Sequence, residues 1–275
     1  MQRILSPKKS FSGKPSSVFL LTYYDSSIGG TGHSALYIPK DPSDSKSKPL
    51  TLSYNPSSRG GLAALHTAAG FITGSFPVPG FNLRHGPYKD TECNRTGPRV
   101  VKIDGVDVAA IKDEFQKIES EIDSGRSLFT IVNSPLNLAG KLVQQGYRLN
   151  IAFKDHQHTY GSMPEESPVT GEYMFPDDYE LPEVPVNNCA TQVERLLKSG
   201  GVPSQQGMFG EKIRLRYLTP LQLESEILAK GGKKMDPESK ELPSDIRKAF
   251  DLDKSIKASG VSLPTNEFRM DPNLF

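Results

Sequence analysis

Val186-Asn187-Asn188-Cys189-Ala190-Thr191-Gln192-Val193-Glu194-Arg195-Leu196-Leu197 is the stretch that decides how this chain is read. Cys189, Val193, Leu196 and Leu197 fall on one face at helical spacing, and Gly200-Gly201 supplies a C-cap. The segment therefore reads as an amphipathic helix that opens at Cys189 and runs to about Ser199. A thiol at a helix N-terminus feels the positive end of the helix dipole, which favours thiolate. Two asparagines before Cys189, and Thr191-Gln192 after it, set that helix start at a surface. The competing reading is a small buried core residue, since cysteines outside disulfides are among the most buried types.

Working outward, Gly32-His33-Ser34-Ala35-Leu36-Tyr37-Ile38 reads as a strand opened by a histidine. Period-two alternation sets Leu36 and Ile38 on one face and His33, Ala35 and Tyr37 on the other. Leu50 to Pro56 alternates again, with Thr51, Ser53 and Asn55 in phase. The two strands read as a hairpin with a long polar connection, bringing residues near 53–55 opposite residues near 33–35. An imidazole beside a thiol can take its proton and keep the ion pair poised. His33 taken alone reads as an ordinary strand histidine, and it is the pairing with Cys189 that gives it a chemical role. Asn55 reads equally as a turn residue before Pro56.

The chain has 275 residues, enough for one large domain or a domain with an appendage. Hydrophobic residues make up 36% and charged residues 24%, a globular composition. A net charge of +1 carries no nucleic-acid signature, because phosphate binding needs concentrated positive charge. No window approaches the ~20 apolar residues of a membrane span. The apolar run Val18 to Leu21 is shorter than a signal-peptide core of roughly 7–15 residues. The two cysteines, Cys93 and Cys189, are too few for a secreted disulfide scaffold, and a reduced compartment is the simpler expectation. Cytoplasmic residence is expected, with delivery outside the Sec route, as for an effector, the alternative.

Residues 1–16 read as a flexible lead-in, 17–205 as the main domain and 206–275 as a helical extension. Val18 to Tyr24 and Arg99 to Ile103 read as strands, Leu128 to Val132 as β-prone, and Tyr147 to Phe153 as a further strand. Asp107 to Asp123 is the best long helix, with Val108, Ile111, Phe115, Ile118 and Ile122 on one face. Gly61 to Gly74 and Asn133 to Gly146 suggest shorter helices. Residues 154–185 read as a large polar surface loop. That loop and the 107–123 helix are placed to meet a substrate. In the C-terminal region, Ile213 to Tyr217 reads as a strand, and Pro220 to Lys230 and Ser244 to Lys257 as helices.

The order of these elements resembles the circularly permuted NlpC-type papain-like superfamily, which includes lecithin:retinol acyltransferase-like proteins and PPPDE-type thiol peptidases. The segment Gly32 to Ile38 resembles its histidine strand, and Asn188-Cys189-Ala190-Thr191 its Asn-Cys motif. The resemblance spans roughly residues 17–200. It implies an α+β fold with an antiparallel sheet packed on helices, the Cys-bearing helix among them. It implies Cys189 as nucleophile, His33 as general base, and a third polar residue on the next strand, Asn55 in preference to Ser53. The implied activity is thiol hydrolysis of an amide, isopeptide or thioester, by a cysteine peptidase or amidase. A protein, peptide or peptidoglycan-type substrate would fit. An acyltransferase of the same fold and a catalytically inactive binding module are the alternatives.

Other motifs carry less. Cys93 lies in Asp90-Thr91-Glu92-Cys93-Asn94, with no helix start beside it and with Glu92 to disfavour a thiolate. His156-Gln157-His158 lacks matching ligands for a metal site. No glycine motif for phosphate or dinucleotide appears. Neither metal nor cofactor is expected.

Overall fold

The structure is a computed structural model and describes residues 16–23, 32–41, 44–56, 77–84, 86–88, 98–130, 138–170, 172–176, 179–203 and 218–259. The apolar run at 18–21 lies inside β1 (Ser16–Tyr23), a strand buried on both faces. β1 pairs antiparallel with β2 (His33–Ile38) on one side and with β6 (Arg99–Val106) on the other. β3 (Leu50–Leu52) pairs with β2, and β11 (Lys233–Lys234) with β6, completing a five-stranded antiparallel sheet. A second sheet joins β4 (Tyr54–Pro56), β5 (Val78–Asn82), β7 (Leu128–Phe129) and β10 (Val186–Asn187) in the order β10-β7-β5-β4. With five helices among the described residues, the class is α+β, as expected.

Period-two alternation gives the five-stranded sheet two apolar faces. Val18, Leu20, Leu36, Ile38, Val101 and Ile103 point into the larger core. Three helices cover that face: α1 (Val108–Asp123), α3 (Cys189–Ser199) and α4 (Pro220–Ala229). Val193, Leu196 and Leu197 of α3 are buried there, each contributing on the order of 1.5–3 kcal/mol. Phe19, Leu21, Tyr23, Ala35, Tyr37 and Val100 form the opposite face, which packs on Leu242 and on Ile246 of α5 (Ser244–Ser259). The described part of the C-terminal region thus gives the sheet an edge strand and each face a helix. It shares the core instead of standing apart from residues 17–205.

The remaining helix, α2 (Leu138–Tyr160), lies on the outside, and Ala152 is its one buried residue among those from Lys141 onward. It corrects two expectations. Tyr147 to Phe153 is helical and not a strand, and the surface loop expected from residue 154 begins as the last turns of this helix. The alternating Tyr147, Leu149, Ile151 and Phe153 imitate a strand. The side chains that anchor the segment are instead one helical turn apart: Gln144 donates to the Val184 carbonyl, and Arg148 to the carbonyls of Pro182 and Leu181. After α2 come two short strands, β8 (Glu165–Glu166) and β9 (Tyr173–Met174), paired antiparallel.

The β2–β3 hairpin is present, with Leu36 opposite Leu52 and Ile38 opposite Leu50. The ladder ends at Leu52. At Ser53 the chain crosses to the second sheet: its amide donates to Asn82 Oδ1 at 2.8 Å, and its carbonyl accepts from the Leu83 amide at 2.9 Å. The expected Ile213–Tyr217 strand, the Gly61–Gly74 helix, Cys93 and almost all of the lead-in lie outside the described residues. Among the described residues no helix is long and apolar enough to cross a membrane.

Candidate active site

Cys189 is the first residue of α3, and Asn188 caps the helix. The Asn188 side chain accepts from the Thr191 amide at 2.8 Å, while the Thr191 hydroxyl accepts from the Asn188 amide at 2.8 Å. This reciprocal cap satisfies two backbone donors that a helix start leaves open, worth ~1 kcal/mol. Asn188 Nδ2 also donates to the Leu218 carbonyl at 2.9 Å, tying the start of α3 to the residue before the Thr219 cap of α4. Cys189 itself is buried, at 6% exposure, and Asn188 and Gln192 are buried with it, so the helix start expected at a surface lies inside the protein.

The direction of α3 decides what Cys189 lies near. The far end of the helix is fixed at Gly200, whose carbonyl accepts from the Asp107 amide at 3.0 Å. A Cβ on Gly200 would lie 2.5 Å from Ile111 Cδ1, so the ends of α1 and α3 touch there. Asp107 follows Val106, which is opposite Ser16, at the end of the sheet remote from the Tyr23–His33 pair. An 11-residue helix is ~16 Å long and β2 is ~20 Å long. With Val193, Leu196 and Leu197 packed in one core with Leu36 and Ile38, α3 runs the length of β2 and brings its N-terminus to the His33 end.

Gly32 shapes that end. Its φ of +63° is a left-handed conformation, and a Cβ there would lie 2.7 Å from the Tyr23 carbonyl oxygen. The same Cβ would be 3.8 Å from Pro220 Cβ, which places the start of β2 beside the start of α4 and hence beside Asn188. His33 follows, at 5% exposure, with its ring centroid 6.0 Å from that of Tyr23. Its Nε2 lies 2.9 Å from Ser53 Oγ. Asn55 Nδ2 in turn donates to Ser53 Oγ at 3.2 Å and to the Ser53 carbonyl at 2.8 Å. Both in-phase candidates for the third residue are thus in one buried chain of contacts. Ser53 touches the ring, and Asn55 touches Ser53.

A hydroxyl oxygen has two lone pairs, so Ser53 Oγ can accept from Asn55 and from a protonated Nε2 together. With the ring proton on Nε2, Ser53 accepts from it and Nδ1 is the basic nitrogen; with the proton on Nδ1, the Ser53 hydroxyl donates to Nε2. Alternation along β2 groups His33 with Ala35 and Tyr37, on the face away from α3. Contact between the ring and the thiol would therefore pass around the start of the strand, at Gly32.

The sequence reading missed a second set of polar groups. Gln192, fully buried on α3, has neither amide atom in a hydrogen bond. Thr22 Oγ1 and Ser34 Oγ, on opposed residues of β1 and β2, are likewise buried and unbonded. By strand parity both hydroxyls point to the face that α3 covers. Side chains on a helix lean toward its N-terminus, so Gln192 leans toward Cys189. Polar residues at Thr22, Ser34 and Gln192 interrupt otherwise apolar faces, and that interruption was the available signal. Asn82 was missed too. It holds the Ser53 amide and donates to Glu119 Oε1 of α1 at 2.7 Å, fixing the bend from which Ser53 reaches His33.

The histidines of the His156-Gln157-His158 stretch lie on α2, where His156 Nδ1 is 2.8 Å from the Ser162 carbonyl. Among the described residues no cluster of His, Cys, Asp and Glu has the makings of a metal site. Comparison of the chain with protein-family models, with curated proteins and with solved structures finds no match.

Proposed function

We propose that this chain is a thiol hydrolase with a permuted papain-like fold, in which Cys189 is the nucleophile and His33 the general base. The observation that carries the reading is the capped start of α3 at the His33 end of β2, with His33 Nε2 held on Ser53. In the proposed reaction His33 Nδ1 takes the thiol proton and the Cys189 sulfur attacks the carbonyl carbon of an amide, isopeptide or thioester. Amides of the first turn of α3 stabilise the oxyanion. Collapse of that adduct forms a thioester on Cys189, and the imidazolium gives its proton to the leaving amine or thiol. Water then attacks the thioester, returning the thiol. Ser53, backed by Asn55, holds the ring in the productive tautomer. A protein, peptide or peptidoglycan-type substrate fits this chemistry.

One observation favours a second reading, a binding module without catalysis: His33 shares strand parity with the face that α3 does not cover. Labelling the native protein with a thiol-reactive probe across pH separates the two. For the hydrolase, Cys189 labels rapidly near neutral pH, Cys189→Ala abolishes the labelling, Cys93→Ala leaves it, and His33→Ala slows it at least tenfold. Labelling of Cys189 only after unfolding rejects the hydrolase.

A further inference from the structure

Between Gly161 and Pro185 the sequence has seven acidic residues and no Lys or Arg. Glu165, Glu166, Glu172, Glu180 and Glu183 are exposed, and among the described residues none of the five forms an ion pair. They stand beside apolar surface: Met163, Tyr173 and Met174 are each about half exposed, and Tyr160 is 57% exposed. The β8–β9 pairing sets Glu165 opposite Met174 and Glu166 opposite Tyr173, so carboxylate and apolar side chains alternate across one small ladder.

This surface is held in place. Phe153 of α2 meets Tyr173 edge-on with ring centroids 4.6 Å apart, and stacks on Phe175 at 5.9 Å. Phe175 stacks on Tyr179 at 4.9 Å and meets His156 edge-on at 6.0 Å. The row anchors Tyr173, Phe175 and Tyr179 to α2, and the Arg148 and Gln144 bonds anchor residues 181–184. The carboxylates are therefore presented by a pre-ordered support, which lowers the ordering cost of binding. Phe175 is stacked with both Phe153 and Tyr179.

We infer that the surface of α2 with residues 161–170, 172–176 and 179–183 is a docking site for a cationic peptide segment of a protein partner. Lysine and arginine suit it at both ends: the ammonium or guanidinium meets the carboxylates and the faces of Tyr160 and Tyr173, while the methylene stem covers the methionines. Local charge complementarity of this kind governs partner choice and on-rate. The inference does not depend on Cys189 chemistry.

The test uses the full chain and fluorescence anisotropy of a labelled decapeptide of alternating Lys and Ala, with the Glu-for-Lys peptide as comparator. The lysine peptide is expected to bind at least tenfold tighter than the glutamate peptide, and to weaken as salt rises. Glu165→Lys with Glu166→Lys should weaken it tenfold or more, and Tyr173→Ala two- to fivefold. Asp113→Lys with Asp251→Lys, which makes the same charge change at exposed positions on α1 and α5, should leave binding within twofold. Equal binding of the two peptides overturns the inference, as does equal loss in both charge-reversed variants. So does self-association that the Glu165/Glu166 reversal abolishes while the peptide fails to compete, because the surface then belongs to a second copy. Thermal melts of each variant distinguish lost docking from lost folding.

Discussion

His33 Nε2 and Ser53 Oγ lie 2.9 Å apart, both buried, at the point where the chain passes from one sheet to the other. The contact fixes which ring nitrogen is basic only while Ser53 accepts from Nε2. Ser53→Ala removes the acceptor and is expected to lower Cys189 labelling near neutral pH roughly five- to tenfold, about one hydrogen bond of ~1 kcal/mol. Asn55→Ala should have a smaller effect in the same direction, because Asn55 acts on the ring through Ser53. Equal rates in wild type and Ser53→Ala across pH would remove Ser53 from the mechanism.

Gln192 is placed at a cost. A buried amide without partners destabilises the fold by ~1–3 kcal/mol. Gln192→Leu keeps the bulk and removes the polar atoms, so the variant should melt higher while losing thiol reactivity or turnover. Such a trade of stability against activity is characteristic of functional positions. Gain in stability with unchanged reactivity would show that Gln192 has no part in the chemistry.

Gly32 is a sharper test of how the site is assembled. Any side chain there must adopt a left-handed φ, costing ~1–2 kcal/mol, and must displace the Tyr23 carbonyl. Gly32→Ala is expected to lower the melting temperature and to slow Cys189 labelling, since the start of β2 and the start of α4 move together. A variant that is merely less stable, with normal labelling well below its melting temperature, would mean that the His33 ring is not held by this turn.

Both pieces of the candidate site were legible in the sequence as short local patterns. The face of α3 follows from the spacing of Val193, Leu196 and Leu197, and β2 from the alternation through Leu36 and Ile38. What escaped depends on contacts between distant segments. Asn82 and Ser53 are 29 residues apart and are joined because the chain changes sheets at Ser53, for which no turn signal exists. Tyr147 to Phe153 alternates like a strand, yet it is helical because Gln144 and Arg148, four residues apart, reach one run of carbonyls. The integration of residues 218–259 was hidden for a similar reason: β11 is two residues long, and its place in the sheet is set by pairing with Lys102 and Val101.

The α1–α3 contact makes the fold acid-sensitive in a definite window. Arg195 of α3 donates to Glu114 at 2.6 Å and to both carboxylate oxygens of Glu121 at 2.7 Å. Burial pushes the Glu114 carboxyl up, but hydrogen bonds from Lys117 and Arg195 and their charges outweigh it, and the net shift is downward. A carboxyl depressed in the folded state binds fewer protons there than in the unfolded chain, so it adds stability above its unfolded pKa of ~4.3. That stability is lost as pH falls through the lower folded value. Denaturant melts between pH 6 and pH 3 should therefore show stability declining below about pH 4.5. Glu114→Gln should be less stable at pH 6, by on the order of 1 kcal/mol given partial exposure, with a shallower decline on acidification. If the wild-type and Glu114→Gln curves stay parallel down to pH 3, the Glu114–Arg195 pair contributes nothing to the acid response, and α3 is held on α1 by its apolar face alone.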